Sequence, residues 1–230
     1  QYGNDNVESS KASVNTPIPA GVALNTSLQL KNTGLTIPEI FSTRYENATI
    51  EFWFKASSLA DWNQSAGNWG TFMMHANSNG AFTAGWNTNG HRVDGNSGDL
   101  QVNTWKHVAI VVQGNTLTTY INGIRKGSVT SSTYSGLGGF GDLVFSSSSG
   151  SAWNGYIDEL RIWNVARTAQ EILSYKNSEF AGSRLPKNLL AYYRGQTFQK
   201  DGVTYLRDYV GTHHAPIADA SKVALSRNTQ

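Results

Sequence analysis

The chain has 230 residues, enough to bury one good core, and its net charge of +2 is spread over scattered Lys and Arg, which argues against a nucleic-acid partner. With no Cys it has no disulfide framework, no thiolate metal site and no cysteine nucleophile. No apolar run approaches a membrane span, so membrane insertion is not expected, and 23 Gly, 10 Tyr and 7 Trp among short alternating segments are the profile of a turn-rich β protein.

Residues 1–16 are polar without a sustained apolar period and are expected to form a flexible leader, after which Pro17-Ile18-Pro19 sets an extended lead-in. Leu28-Gln29-Leu30 and Thr36-Ile37 read as short strands separated by the turn signal Asn32-Thr33-Gly34. From Ala48 to Ala56, Ile50, Phe52 and Phe54 alternate with Glu51, Trp53 and Lys55. An aromatic on the second face predicts a strand with both sides partly covered. Alternation stops from Ser57 to Gly70. Asp61-Trp62-Asn63-Gln64 and Gly67-Asn68-Trp69-Gly70 therefore read as a long polar loop carrying two Trp, the kind of loop that often holds function.

Strands are predicted to resume at Thr71–His75, Phe82–Trp86 and His91–Val93, a meander joined by Asn- and Gly-rich turns. Trp105 to Val112 is a strand, apolar in its second half. Thr116–Ile121 and Ile124–Lys126 flank Asn122-Gly123, a dipeptide suited to the two positive φ values of a type I′ hairpin turn. Leu143-Val144-Phe145 is a short strand between loops. In Gly155–Asn164, Leu160 and Ile162 point one way and Glu159 and Arg161 the other. The same count places Asp158 on the face of Leu160 and Ile162, where an ionised carboxylate needs a partner. Thr168 with Glu171 forms a capping box that opens one short helix through Tyr175.

Three of these stretches carry a family pattern. Trp105-Lys106-His107-Val108-Ala109, then Tyr120-Ile121-Asn122-Gly123, then Gly155-Tyr156-Ile157-Asp158-Glu159-Leu160-Arg161-Ile162-Trp163-Asn164 with Val165-Ala166-Arg167 occur in order. Together they resemble the laminin-G-like, concanavalin A-like jelly-roll domains, from about Leu28 to Leu173. The resemblance implies an all-β fold, an antiparallel two-sheet jelly-roll β-sandwich with one short helix. It places the domain at residues 17–180, with a C-terminal extension, 181–230, packing on the same sandwich. Leu189-Leu190-Ala191-Tyr192-Tyr193-Arg194, Leu206-Arg207-Asp208-Tyr209-Val210-Gly211 and His213-His214-Ala215 resemble an element flanking many such domains. The acidic, glycine-rich centre of that element is missing around Gln196–Gly202, so no role for its Glu carries over.

A glycosidase needs two carboxylates in one cleft, roughly 5 to 9.5 Å apart. Asp158 and Glu159 are adjacent, and simple alternation sends them to opposite faces. No E-x-D-x-x-E strand, the glucanase signature of this architecture, occurs, and an enzyme is not expected. Ser146–Ser149 lacks a nucleophile elbow. His75, His91, His107, His213 and His214 show no zinc-ligand spacing, and His107 reads as a packed strand residue. For Asp158 two readings stay open: the resemblance implies a structural calcium ion held against the N-terminal strand, and the alternative is a carboxylate satisfied by backbone N–H groups. Asp94–Asp99 reads as a solvated turn.

Sugars are gripped by flat ring faces flanked by hydrogen-bonding groups. Trp53, Trp105 and Trp163 lie on strands and are expected to pack. Trp62, Trp69, Trp86 and Trp153 lie in or beside loops, near Asn63, Asn68, Asn87 and Asn154. The expected ligand contacts are Trp62, Asn63, Trp69, Trp86, Asn87, Arg92 and Trp153. The expected function is a non-catalytic carbohydrate-binding module outside the cytoplasm, its partner a glycan or polysaccharide. A protein-adhesion or spacer module that holds a surface protein is the alternative, ahead of a glycoside hydrolase. No charged-then-apolar leader opens the chain at Gln1, so the expected extracellular, cell-surface or periplasmic placement implies a signal peptide not contained in this sequence.

Overall fold

The structure, a computed structural model, describes residues 26–86, 90–146, 148, 150–180 and 185–227. The leader expected over residues 1–16 and the candidate contact Asn87 lie outside them. Among the described residues the chain opens with β1 (Thr26–Thr33), β2 (Leu35–Phe41) and β3 (Asn47–Ala56). A meander follows of β4 (Asn63–Asn68), β5 (Phe72–Ala76), β6 (Phe82–Gly85) and β7 (Arg92–Asp94). Then come β8 (Lys106–Gln113), β9 (Thr116–Ile121), β10 (Ile124–Thr130), β11 (Gly141–Phe145) and β12 (Trp153–Trp163). The helix α1 (Ala169–Tyr175) is followed by β13 (Leu189–Lys200), β14 (Val203–Asp208), β15 (Ala215–Pro216) and β16 (Val223–Arg227).

These strands form two antiparallel sheets, the two-layer sandwich of a jelly roll. One has six strands in the order β2-β11-β4-β5-β6-β7. The other has ten, in the order β10-β9-β8-β3-β12-β13-β14-β15, with β1 on β12 and β16 on β1. Inward-facing Ile50, Phe52, Phe54, Val108, Ile110 and Leu160 of the larger sheet meet Phe72, Met74, Leu143 and Phe145 of the smaller one in a single core. Each such side chain stabilises the fold by roughly 1.5–3 kcal/mol when fully buried. The near-continuous apolar run of β8 has a plain cause: Val108, Ile110 and Val112 enter that core, while Ala109 and Val111 pack outward against Ile172 of α1.

Local signals and structure agree at the turn and the cap. Asn122 and Gly123 sit at φ 54° and 82°, the two positive values of a type I′ turn. Thr168 Oγ1 accepts from the Glu171 N–H at 3.2 Å, and Glu171 Oε2 accepts from the Thr168 N–H at 2.8 Å.

Two expectations are overturned. The stretch 57–70 is not all loop, because β4 runs through its second half between β11 and β5. Its side chains are too small and polar to alternate visibly: Ala66 is its one residue in the hydrophobic core. Gly67 lies at φ 138°, and a Cβ there would stand 2.1 Å from the Phe72 carbonyl oxygen, so the strand requires glycine. The second correction concerns Asp158. A bulge interrupts β12 between Asp158, opposite Trp53, and Arg161, opposite Glu51, with Glu159 at φ 50°. Ile157 faces Phe54 in the core, so Asp158 shares the outward side of Trp53 and not the face of Leu160 and Ile162. The bulge falls where β12 changes neighbours: Leu28 of β1 pairs Ile157, and Tyr193 of β13 pairs Leu160.

Candidate functional site

The outer face of the six-stranded sheet carries a groove of about 420 Å³. It runs over β4, β5 and β11, with Ala66, Gly67, Met73 and Val144 making an apolar floor, and Trp62 and Trp69 standing at the two ends of β4. Ser65, Asn68, Ser146, Ser148 and Ser151 supply the polar lining. That volume lies in the range of ordinary small-ligand sites. Trp62 is 42% exposed and Trp69 71% exposed, a large apolar surface to leave in water.

Trp62 is held in place from several sides. It lies at φ 63°, with Gln64 at φ 55°, so two non-glycine residues adopt the left-handed region within three positions. Such conformations cost of order 1–3 kcal/mol each and persist only where surroundings enforce them. Here Gln64, fully buried, donates through Nε2 to the Ser58 and Asn154 carbonyls at 3.2 and 3.1 Å and accepts the Asn154 N–H at 2.8 Å. Ser65 Oγ donates to the Trp62 carbonyl. Asp61 accepts from the Ser78 N–H and hydroxyl at 2.9 and 2.6 Å, bonds that hold its carboxyl below the usual range. The indole of Trp62 stacks on the imidazole of His75 with centroids 4.4 Å apart and planes at 27°. Burial, with Arg92 adding to it, pushes His75 down to about 4, so the ring beneath Trp62 is neutral at pH 7.

The expected contacts separate into two groups. Trp62 and Trp69 line the groove. Asn63 begins β4 beside it, and its Oδ1 accepts from the Gln64 N–H at 2.8 Å. Arg92 lies on β7, outside the groove, with Nε 2.9 Å from Asp94 Oδ1. Trp86 and Trp153 are corrections, since neither presents a ring face to solvent. Trp86 is 3% exposed and donates its Nε1–H to the Gly136 carbonyl at 2.8 Å. Trp153 is 1% exposed, donates to the Ser65 carbonyl at 2.7 Å, and packs edge-on against Phe52, Phe54 and Phe145 in the core. Proximity to a loop in sequence does not reveal which way an indole turns. The reading along the chain also missed Ser65, Met73, Val144 and Ser151. Val144 was within reach, because in Leu143-Val144-Phe145 alternation sends it opposite to its two buried neighbours.

The outer face of the ten-stranded sheet is closed at its centre, where Glu51 and Arg161 are each 1% or less exposed. Under α1, Arg161 Nη2 donates to Glu159 Oε2 at 2.5 Å, and its Nη1 lies 3.9 Å from Glu51 Oε1. Trp163 Nε1–H donates to Glu51 at 2.9 Å, and the Tyr192 hydroxyl donates to Glu159 at 2.5 Å. Arg161 also donates to the carbonyls of Tyr175 and Ser178, which ties the helix end down over the cluster. Burial raises the Glu51 carboxyl above the usual range against the pull of Arg161 and Arg167, and pushes His107 down to about 3. Two carboxylates therefore meet around Arg161, but in a sealed network and not in a cleft.

Asp158 Oδ1 accepts the Glu159 N–H at 2.9 Å, and among the described residues no three His, Cys, Asp or Glu side chains converge to hold a metal. A calcium ion at Asp158 would have to draw most of its other ligands from backbone carbonyls, amide or hydroxyl oxygens and water.

The family model described as the concanavalin A-like lectin/glucanases superfamily matches residues 29–173. The chain belongs to this superfamily. A search of curated protein sequences gave no match. Among solved structures, a protein of Bacteroides ovatus proposed to bind carbohydrate superposes with a TM-score of 0.72 at 17% identity, over 90% of this chain and 60% of that one. The chain thus spans 60% of that protein's length. A heptameric pentraxin of Limulus polyphemus gives a TM-score of 0.56 at 14% identity, over 90% of this chain and 98% of its own. Domain 4 of an extracellular arabinanase from Geobacillus stearothermophilus, solved with arabinotriose, gives 0.53 at 18% identity, over 66% of this chain and 76% of its own. At these identities the likeness is one of fold.

Proposed function

We propose that this concanavalin A-like domain is a non-catalytic carbohydrate-binding module that works outside the cytoplasm and grips a glycan in the groove over β4. The observation that carries the reading is the pair of solvent-facing indoles, Trp62 and Trp69, at the two ends of one groove. β4 has six residues, so they stand at the ends of a strand roughly 20 Å long, a span suited to an oligosaccharide. Pyranose rings present flat C–H faces that stack on indoles, and their hydroxyls bond Ser and Asn side chains of the kind found between. The non-catalytic reading is supported by the fate of Glu51 and Glu159, both committed to Arg161 beneath α1. Two of the similar structures are named for binding carbohydrate or solved with an arabinan fragment, and one of these is named as part of an extracellular enzyme, which supports both the ligand class and the location.

The test is a glycan array followed by titration of the best ligand. Trp62→Ala and Trp69→Ala are each expected to weaken binding at least tenfold, about 1.4 kcal/mol. Trp69→Ala keeps the fold, because that ring is 71% exposed and its loss opens no cavity. Unchanged affinity in both folded variants would sink the assignment.

A further inference from the structure

One property of the groove names its ligand more closely, and this step rests on the glycan-binding reading above. Among the described residues none of the side chains lining it is ionisable. The charged groups beside it are engaged elsewhere: Asp61 with the Ser78 N–H and hydroxyl, Arg92 with Asp94 along β7. From Met73, pairing runs through Gly85 of β6 to Arg92, whose backbone lies two ladder spacings away, about 10 Å, and whose guanidinium is paired with Asp94 at 2.9 Å. His75 is neutral beneath Trp62 and offers no cation. What the groove does present is hydroxyl. Ser146 Oγ and Ser151 Oγ stand 2.8 Å apart, and either can donate. Such groups rotate to serve donors or acceptors alike, as sugar hydroxyls require.

From this we infer that the groove selects uncharged oligosaccharides and rejects acidic ones, that is, glycans bearing uronate, sulfate or sialate. A carboxylate or sulfate laid on Met73 and Val144 would lose water and find no cation, a penalty that a neutral sugar avoids. Rejection then needs no clash; it follows from the missing counter-charge.

The experiment uses the full chain on an array holding neutral oligosaccharides beside uronate-containing, sulfated and sialylated ones, with the best binder then titrated between about 20 and about 500 mM NaCl. Neutral glycans alone are expected to bind, with an affinity that changes less than about twofold across that range. Acidic glycans bound as tightly as neutral ones, or an affinity that falls about tenfold with salt, would overturn the charge selection and leave the binding reading intact. A blank array removes both. Val144→Lys, at a partly exposed floor position, is expected to add binding of a uronate-containing oligosaccharide that the parent chain ignores. A folded Val144→Lys protein that binds as the parent does would place the floor outside the contact and overturn the inference.

Discussion

On the covered face of the ten-stranded sheet, Trp53 donates its indole N–H to the Lys176 carbonyl at 2.7 Å and Trp163 donates to Glu51 at 2.9 Å. On the open face of the six-stranded sheet, Trp62 and Trp69 bound a groove that none of the described residues fills. The two faces share aromatic, acidic and histidine residues, and the difference lies in what lies over them. A seven-residue helix and the turn behind it cover the centre of one face, so its charges answer one another; among the described residues nothing similar covers the groove on the other, and its rings face solvent. The presence of Trp or Glu on a strand therefore says little until the layer above it is known.

The covered face can be broken hardest. Arg161→Met takes from Glu51 and Glu159 their shared cation in a buried site, leaving Arg167 at 3.6 Å and Arg194 at 3.5 Å as partial replacements, and is expected to cost about 3 kcal/mol in a urea melt, the low end for a broken buried pair. A loss below about 1 kcal/mol would mean that the cluster is hydrated and open, and would revive the catalytic reading. On the open face, Gln64→Ala strips three hydrogen bonds from the Ser58 and Asn154 backbone, with an expected loss of about 1–3 kcal/mol. Glycan affinity should fall with it, because Trp62 loses its support; affinity equal to the parent's in a destabilised protein would show that Trp62 is placed without Gln64.

A pH series sharpens the comparison further. Unfolded, His75 takes up a proton near pH 6.5; folded, it does so only near 4. Its contribution to stability is therefore complete above pH 6.5, declines as pH falls from about 6.5 to about 4, and is level below that. His75→Gln should flatten that part of a melting-temperature profile, and an unchanged slope would refute the buried, neutral imidazole. The smallest effect is expected from chelation. With Asp158 bonded to the Glu159 N–H, EDTA should leave the melting temperature unmoved, and a drop of several degrees would show that calcium supplies part of the fold.

Much of the sandwich was legible because its signals are local. Asn122-Gly123 specifies its turn by φ, Thr168 and Glu171 their helix start by spacing, and β3 its period by alternation. β4 was illegible because Gln64, Ser65, Ala66 and Gly67 have neither bulk nor contrast, and their strand exists only through β11 and β5 on either side. The site was half legible for the same kind of reason. Trp62 and Trp69 could be picked out with Trp86 and Trp153, yet composition is blind to which indole finds a carbonyl inside, as Trp86 does at Gly136 and Trp153 at Ser65.

By itself the order of residues determined a turn-rich β protein without cysteine chemistry, since these follow from periodicity, turn chemistry and composition, which act between near neighbours; the family was read from the resemblance of three ordered motifs. Only the tertiary structure decided that Asp158 turns outward at a bulge, that Glu51 and Glu159 share Arg161 under a helix, and that two of four candidate indoles face solvent. Those outcomes depend on strands brought together from opposite ends of the chain, and on whether something packs above them, which no local pattern encodes.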